Sequence, residues 1–455
     1  MKQHTLWIGP LLAIAMGYGL LATDSTPEAA WTAGITLLCA VWWIFEPIPI
    51  PATSLIPIAL FPLVGVLKPA EVGQAYGHKL ILLLLGGLML SSAMERSGAH
   101  RRIALTMVKW FGGSSSRRLV FGFMAASACL SMWISNMATT LMLLPIVLAV
   151  LEKTDDRRLR VSLLLGVAYA ASVGGVGTPV GTPPNLIFME NYQRMIGQEP
   201  AFSEWMGWAL PVVVIMLPIM AIWLTRGLPR QTNLQLPEVG QWRAEEIRTL
   251  AIFAITAILW ITRLEPFGGW SRWANLPAAN DASVALLAVV AMFLVPNGRG
   301  EKLLDWSTAV KIPWGILILF SSGIVISKAF VSSGLSASLG ESLAQIGQLP
   351  PLLMIALVCT AVTFLTEVTS NTATANLLMP VLAAAAIAAD IEPKLIMVPA
   401  TISASFAFML PVATGPNAIV FGSEQLTVRD MAREGFALNL IGIVVVTAVC
   451  YFQFQ

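Results

Sequence analysis

The amino-acid sequence predicts an all-α membrane protein built from two halves of opposite topology, each with a re-entrant hairpin and a broken helix. Three observations lead there: too little charge for a water-soluble surface, apolar runs of helical length, and an internal repeat whose copies have opposite charge bias. The chain has 455 residues, 56% apolar and 11% charged, with mean hydropathy +0.76. A typical soluble domain is about 25% charged, and so little polar surface cannot cover a globule of this size. That excludes a soluble enzyme and a disordered chain. Lys and Arg (27) nearly balance Asp and Glu (25), too even for binding a phosphate backbone. Membrane lipid is the expected surrounding, and no nucleic-acid partner is expected. Unbroken apolar runs argue for helices over the alternating strands of a barrel.

A spanning helix needs about 20 apolar residues. Such runs begin near Leu6, Ala29, Pro51, Leu80, Val161, Trp205, Thr249, Ala282, Ile312, Ile396 and Phe436, which makes about 11 transmembrane helices. Lys2 followed by Leu6 to Ala22 has the look of a signal peptide. No small-x-small cleavage site follows, so the run reads as an uncleaved first helix. Two further stretches, Leu119 to Leu151 and Leu352 to Ala389, are too long for one span and are interrupted by small polar residues. Cys39, Cys129, Cys359 and Cys450 lie far apart in apolar segments and read as packing residues.

Lys and Arg in short loops mark the cytoplasmic side. Arg96, Arg101, Arg102, Lys109, Arg117 and Arg118 precede the first interrupted stretch, and Lys153, Arg157, Arg158 and Arg160 follow it. Flanks on one side make a hairpin, 119–152, entering from the cytoplasm. The second stretch has no Lys or Arg in Val331 to Leu352 before it and only Lys394 after it, so hairpin 352–389 enters from outside. Arg226, Arg230, Arg243, Arg248, Arg299 and Lys302 then fall inside. The N-terminus is expected in the cytoplasm and the C-terminus outside the inner (plasma) membrane, with Arg263 and Arg272 an exception in an outer loop.

The halves repeat one another. Ser135-Asn136-Met137-Ala138-Thr139 matches Ser370-Asn371-Thr372-Ala373-Thr374, and Pro145 matches Pro380. Upstream, Gly87, Ser91, Ala93, Ser97 and Gly98 match Gly323, Ser327, Ala329, Ser333 and Gly334. Downstream, Gly181-Thr182-Pro183-Pro184-Asn185 matches Ala413-Thr414-Gly415-Pro416-Asn417. Three blocks in one order at a near-constant spacing mark a repeat, and opposite charge bias makes it inverted. Residues 1–225 form the first repeat, with broken helix 161–190. Residues 226–248 form a cytoplasmic linker, and 249–455 the second repeat, with broken helix 396–422. Inverted repeats with broken helices point to a secondary transporter with its site near the midplane.

Non-helical backbone survives in lipid only where protein or a water-filled cavity satisfies it. The two Ser-Asn tips and the two Thr-x-Pro-Asn segments are four such breaks. Pro ends a helix, helix N-termini suit an anion, and unwound carbonyls with Ser and Asn oxygens suit a hard cation such as Na+. No Lys or Arg lies at these breaks, so a bound anion must rely on neutral donors and co-bound cations. Gly174, Gly175, Ser403 and Ser405 in the broken spans read as close-packing residues. Glu367, near the second tip, is either functional or an acceptor for the hairpin backbone. With this one acid at the tips and no His nearby, sodium coupling is favoured over a proton relay. His4, His78 and His100 sit at span edges and read as interfacial.

These paired motifs resemble the divalent anion–sodium symporter family, the INDY-type dicarboxylate, tricarboxylate and sulfate carriers, over nearly the whole chain. The resemblance implies a homodimer whose transport domain slides past a fixed scaffold in an elevator mechanism. It implies one sodium site at Ser131, Ser135, Asn136 and Gly181, and a second at Thr366, Thr369, Asn371 and Ala413. It implies substrate contacts from Ser135, Asn136, Thr182, Pro183, Ser370, Asn371, Thr372 and Thr414. Two residues depart from the family pattern: Met137 replaces Thr in the first tip, and Gly415 replaces Pro in the second break. Met137 is therefore a specificity candidate. The expected activity is sodium-coupled symport of a C4-dicarboxylate such as succinate, with citrate, tartrate-like diacids and sulfate open. A sodium-independent exchanger is the alternative. An intramembrane enzyme would need a nucleophile–base pair, an acid dyad or metal ligands, and neither H-E-x-x-H nor G-x-S-x-G with a His partner occurs. Two inverted, non-identical hairpins suit alternating access better than an open pore.

Overall fold

The computed structural model describes residues 2–23, 25–112, 115–152, 156–228, 240–264, 269–336, 338 and 349–455. Lys153, Arg230, residues 337 and 339–348 before the second hairpin, and most of the linker lie outside them. Among the described residues the structure is helical, with a single isolated β-bridge between Pro296 and Lys302. The helices of the first half are α1 (Lys2–Leu21), α2 (Pro27–Phe45), α3 (Ile50–Thr53), α4 (Leu55–Leu63), α5 (Pro69–Tyr76), α6 (Lys79–Ser97), α7 (Ala99–Gly112), α8 (Ser116–Ser131), α9 (Asn136–Leu151), α10 (Arg157–Gly175), α11 (Pro183–Ile196) and α12 (Phe202–Leu224). The second half has α13 (Ala244–Ile261), α14 (Trp270–Trp273), α15 (Asp281–Leu294), α16 (Trp306–Ala309), α17 (Trp314–Ser332), α18 (Pro351–Thr366), α19 (Asn371–Ala388), α20 (Lys394–Ser403), α21 (Gly415–Phe421) and α22 (Val428–Phe454).

Ten of the eleven expected span starts fall inside a helix, and Ile312 lies two residues before α17. Seven helical stretches are long and apolar enough to cross a bilayer, and the remaining apolar helices have 10–17 residues. The short ones include two hairpin arms, α9 and α18, with 16 residues each, whereas α19, with 18 residues, is among the seven. At 1.5 Å per residue the short arms reach about 24 Å, less than a hydrocarbon core of about 30 Å. Residues 132–135 separate α8 from α9, and residues 367–370 separate α18 from α19. The broken spans are α10 and α11 around residues 176–182, and α20 and α21 around 404–414.

The halves interlock. The second arm of each hairpin packs on the outer half-helix of the other repeat: α9 against α21, and α19 against α11. Trp205, Phe188, Tyr169 and Phe408 are fully buried around the breaks. Tyr169 and Phe408, one from each repeat, have ring centroids 5.0 Å apart.

Ion pairs lie at both ends of α6. At the start of α6, Lys79 pairs with Glu199 at 2.5 Å, while Arg263 pairs with Glu199 at 3.4 Å and with Asp281 at 2.6 Å. Arg263 is a buried side chain neutralised by two carboxylates rather than a free loop charge. At the other end of α6, Arg96 pairs with Glu301 and Asp305. Arg102 is buried there and holds Glu246 at 2.7 Å and Gly240 O at 2.7 Å, with its guanidinium 4.6 Å from the centre of the Trp242 ring. Removing one partner of a buried ion pair costs about 3–5 kcal/mol. Arg102→Ala is therefore expected to lower the melting temperature in detergent strongly, whereas Arg118→Ala, at an exposed position, leaves it within about a degree of wild type. Equal melting temperatures for the two variants would remove the clasp from the account of stability.

Candidate functional site

Each tip is closed by a hydroxyl–amide pair five residues apart. Ser131 Oγ donates to Asn136 Oδ1 at 2.5 Å, and Thr366 Oγ1 donates to Asn371 Oδ1 at 2.8 Å. Ser135 caps α9 by accepting from Ala138 N at 3.2 Å, as a Ser before a helix is suited to do. Ser370 occupies the equivalent cap position but makes no side-chain cap hydrogen bond. Thr182 and Thr414 begin the outer half-helices in extended backbone. Thr414 Oγ1 accepts from Asn417 N at 3.3 Å, while the Thr182 hydroxyl makes no cap bond. The Ser370 and Thr182 hydroxyls are therefore the ones not consumed by capping.

The breaks are held by two asparagines with matched geometry. Asn185 Nδ2 donates to Gly175 O at 3.1 Å and Thr178 O at 2.7 Å. Asn417 Nδ2 donates to Ala407 O and Leu410 O, both at 3.0 Å. In both cases the acceptors lie ten and seven residues upstream, the same geometry in both copies. The Oδ1 atoms of both asparagines are buried without a hydrogen-bond partner among the described residues. Trp205 Nε1 donates to Val176 O at 2.8 Å, and Thr178 Oγ1 donates to Met132 O, tying the first break to the first tip.

Of the first expected sodium set, Ser131, Asn136 and Gly181 come together. A Cβ on Gly181 would lie 2.3 Å from Gly175 O and 3.0 Å from Ser131 O, and one on Gly175 would lie 2.4 Å from Asn136 Oδ1. These glycines admit backbone carbonyls and an amide oxygen into one small space, a donor set suited to a hard cation. Gly174 packs on the Ala128 backbone. In the second set, Thr366 and Asn371 meet, and Thr366 Oγ1 also reaches Ala404 O at 2.8 Å. Thr369 turns its hydroxyl to Leu365 O at 3.0 Å and to Thr374, and Ala413 donates its N–H to Leu410 O within the break. Thr372 is buried and Pro183 is partly buried beside the breaks. Met137 is 51% exposed and lies against Gly415.

Among the described residues, Glu367 does not accept from the backbone of its own hairpin. Its carboxylate accepts from Phe408 N (2.7 Å), Met409 N (2.9 Å) and Leu410 N (3.1 Å) of the second break, and from Asn439 Nδ2 at 2.6 Å. It organises the broken helix, not the hairpin backbone. Asn439 and Trp205 lie outside the repeated motifs of the sequence. A lone Asn in the apolar run of α22 was the available signal, because a polar group in a span demands a partner. Hydrogen bonds to a charged group contribute about 1.5–3 kcal/mol. Glu367→Gln removes the charge at unchanged size and is expected to lower the melting temperature by several degrees. An unchanged melting temperature would mean the carboxylate does not hold the break.

The family profile described as a citrate transporter matches residues 40–398. The sodium-dependent dicarboxylate transporter SdcS of Staphylococcus saprophyticus is 38% identical over 98% of this chain and 90% of its own length, and SdcS of Staphylococcus aureus matches at the same identity and coverage. Among solved structures, the YdaH transporter of Alcanivorax borkumensis aligns with a TM-score of 0.60 at 15% identity, over 86% of this chain and 88% of that one. MtrF of Neisseria gonorrhoeae, described among antimetabolite efflux pumps, aligns with a TM-score of 0.61 at 13% identity, over 86% and 83%. At such identities these two likenesses speak to the fold alone. With the family profile and the curated relatives both spanning most of the chain, the protein belongs to the divalent anion–sodium symporter family.

Proposed function

We propose that the protein is a secondary active transporter that couples sodium entry to uptake of a C4-dicarboxylate such as succinate. The observation that carries this reading is the pair of symmetric tip-and-break clusters, Ser131–Asn136 and Thr366–Asn371. Both are rich in neutral oxygens and N–H groups and lack any Lys or Arg. Neutral donors alone bind a dianion weakly in a low-dielectric site; bound sodium supplies the missing positive charge. The naming of the SdcS relatives as sodium-dependent dicarboxylate transporters supports the same pairing.

In this reading one Na+ binds at Ser131, Ser135, Asn136 and Gly181 and another at Thr366, Thr369, Asn371 and Ala413. Substrate carboxylates contact Ser135, Asn136, Thr182, Pro183, Ser370, Asn371, Thr372 and Thr414. The uncommitted Ser370 and Thr182 hydroxyls are the natural first donors. The hairpins and broken helices, interlocked across the repeats, move as one body in an elevator mechanism against the remaining helices, within a homodimer. The N-terminus is cytoplasmic and the C-terminus external, with repeats at 1–225 and 249–455 joined by linker 226–248.

Reconstituted into proteoliposomes, the protein is expected to accumulate labelled succinate only under an inward sodium gradient. Uptake that proceeds without sodium, driven by internal diacid alone, would replace symport with exchange. Asn136→Ala and Asn371→Ala are each expected to reduce sodium-driven uptake at least 100-fold while the protein remains monodisperse by gel filtration. Wild-type uptake in either variant would make that tip a packing feature.

A further inference from the structure

Within the blocks 135–139/370–374 and 181–185/413–417, the two copies differ by more than a methyl group at only two positions. After the tip asparagine the first repeat has Met137 and the second Thr372; in the breaks the first has Pro183 and the second Gly415. The exchanged packing of hairpin arms and half-helices makes these two differences one. The arm that carries Met137 packs on the half-helix that begins with Gly415, and the arm that carries Thr372 packs on the half-helix that begins with Pro183. The symmetry thus relates a Met–Gly pair to a Thr–Pro pair.

Met137 and Gly415 are in direct contact. A Cβ at position 415 would lie 2.3 Å from Met137 Cγ, 2.7 Å from Sδ and 3.3 Å from Cε. The closest atom is Cγ, near the root of the side chain. Swinging the flexible tip aside does not relieve that clash; the whole side chain must leave its rotamer. Position 415 therefore has to stay bare for Met137 to lie where it does, and the thioether fills space that a ring at 415 would occupy. Gly415 follows Thr414 and Met137 follows Asn136, so the pair bridges two of the residues assigned to the anion. A thioether offers no donor and only a weak acceptor, where the other repeat presents a hydroxyl.

We propose that Met137 and Gly415 form a single steric unit that sets substrate preference, favouring an unsubstituted C4-dicarboxylate over one with a hydroxyl on its carbon chain. This rests on the dicarboxylate reading above. A substrate hydroxyl beside the thioether loses a hydrogen-bond partner, whereas Thr at 137 would supply one. Discrimination against an added hydroxyl in an apolar pocket reaches about 100-fold at most.

The test uses the full chain in detergent with sodium: wild type, Gly415→Ala, Met137→Thr, Met137→Ala, and both double variants. Melting temperatures and apparent affinities for succinate and malate are read from thermal-shift titrations, since a ligand of the native state raises its melting temperature by mass action. Gly415→Ala is expected to lower the melting temperature and weaken succinate binding at least tenfold. Met137→Ala, which removes every γ atom, is expected to restore the melting temperature and to bring succinate affinity to within threefold of the Met137→Ala single variant. Met137→Thr alone is expected to shift the malate-to-succinate ratio about tenfold toward malate. A Gly415→Ala variant that matches wild type, or is equally damaged in all three Met137 backgrounds, would overturn the steric unit, as a double-mutant cycle without coupling does. An unchanged malate-to-succinate ratio would overturn its role in preference. A wild type that binds neither diacid would sink the dicarboxylate reading and the preference with it, while the ligand-free melting temperatures would still decide the steric unit. If Gly415→Ala fails to fold, folding of the Met137→Ala double variant supports the unit and its failure overturns it.

Discussion

Everything at this site depends on one constraint: a helix broken inside a membrane leaves N–H and C=O groups that lipid cannot satisfy. Asn185 and Asn417 meet it by folding a side-chain amide back onto carbonyls ten and seven residues upstream. Glu367 meets it for three further amides, and Trp205 for one carbonyl. The oxygens and hydroxyls that remain uncommitted around these anchors are what a cation or an anion can use. Stability and binding are thus drawn from one stock of polar groups, each held in place by those already paired.

The two copies meet the constraint in different ways. Met132 stands in the first tip where Glu367 stands in the second. The first break is bound to its tip through Thr178 and Met132 O, and to α12 through Trp205. The second is gathered by a carboxylate that also reaches α22 through Asn439. Matched backbone geometry with unmatched side-chain support leaves two clusters alike in shape and unlike in electrostatics. Sites built on repeats that diverged this way need not bind their ions with equal strength.

Much of this was legible in the sequence. Ser-Asn and Thr-x-Pro-Asn in otherwise apolar runs announce breaks because nothing else places such residues in lipid, and the repeat follows from their order. Charge counting says nothing of where a single side chain ends up: Arg102 and Arg263 are buried in ion pairs, and a basic residue in a loop reads the same whether it faces water or a carboxylate. Glu367 was visible as a buried acid, but its partners lie some forty residues on and in α22, beyond what periodicity or spacing conveys. The contact between Met137 and Gly415 was out of reach for the same reason. Each looked like an isolated departure until the fold brought them together.

The exchange of hairpin arms between repeats has a consequence for biogenesis. The first hairpin's second arm gains its α21 neighbour roughly 280 residues later, or on the order of 15–60 s at ordinary synthesis rates. Until then the α8–α9 hairpin has only its own repeat's broken helix beside it, joined through Thr178 and Met132 O. Contacts this distant in sequence form late and slowly. Chain truncation before α21 would leave α9 without that neighbour and Met137 without Gly415.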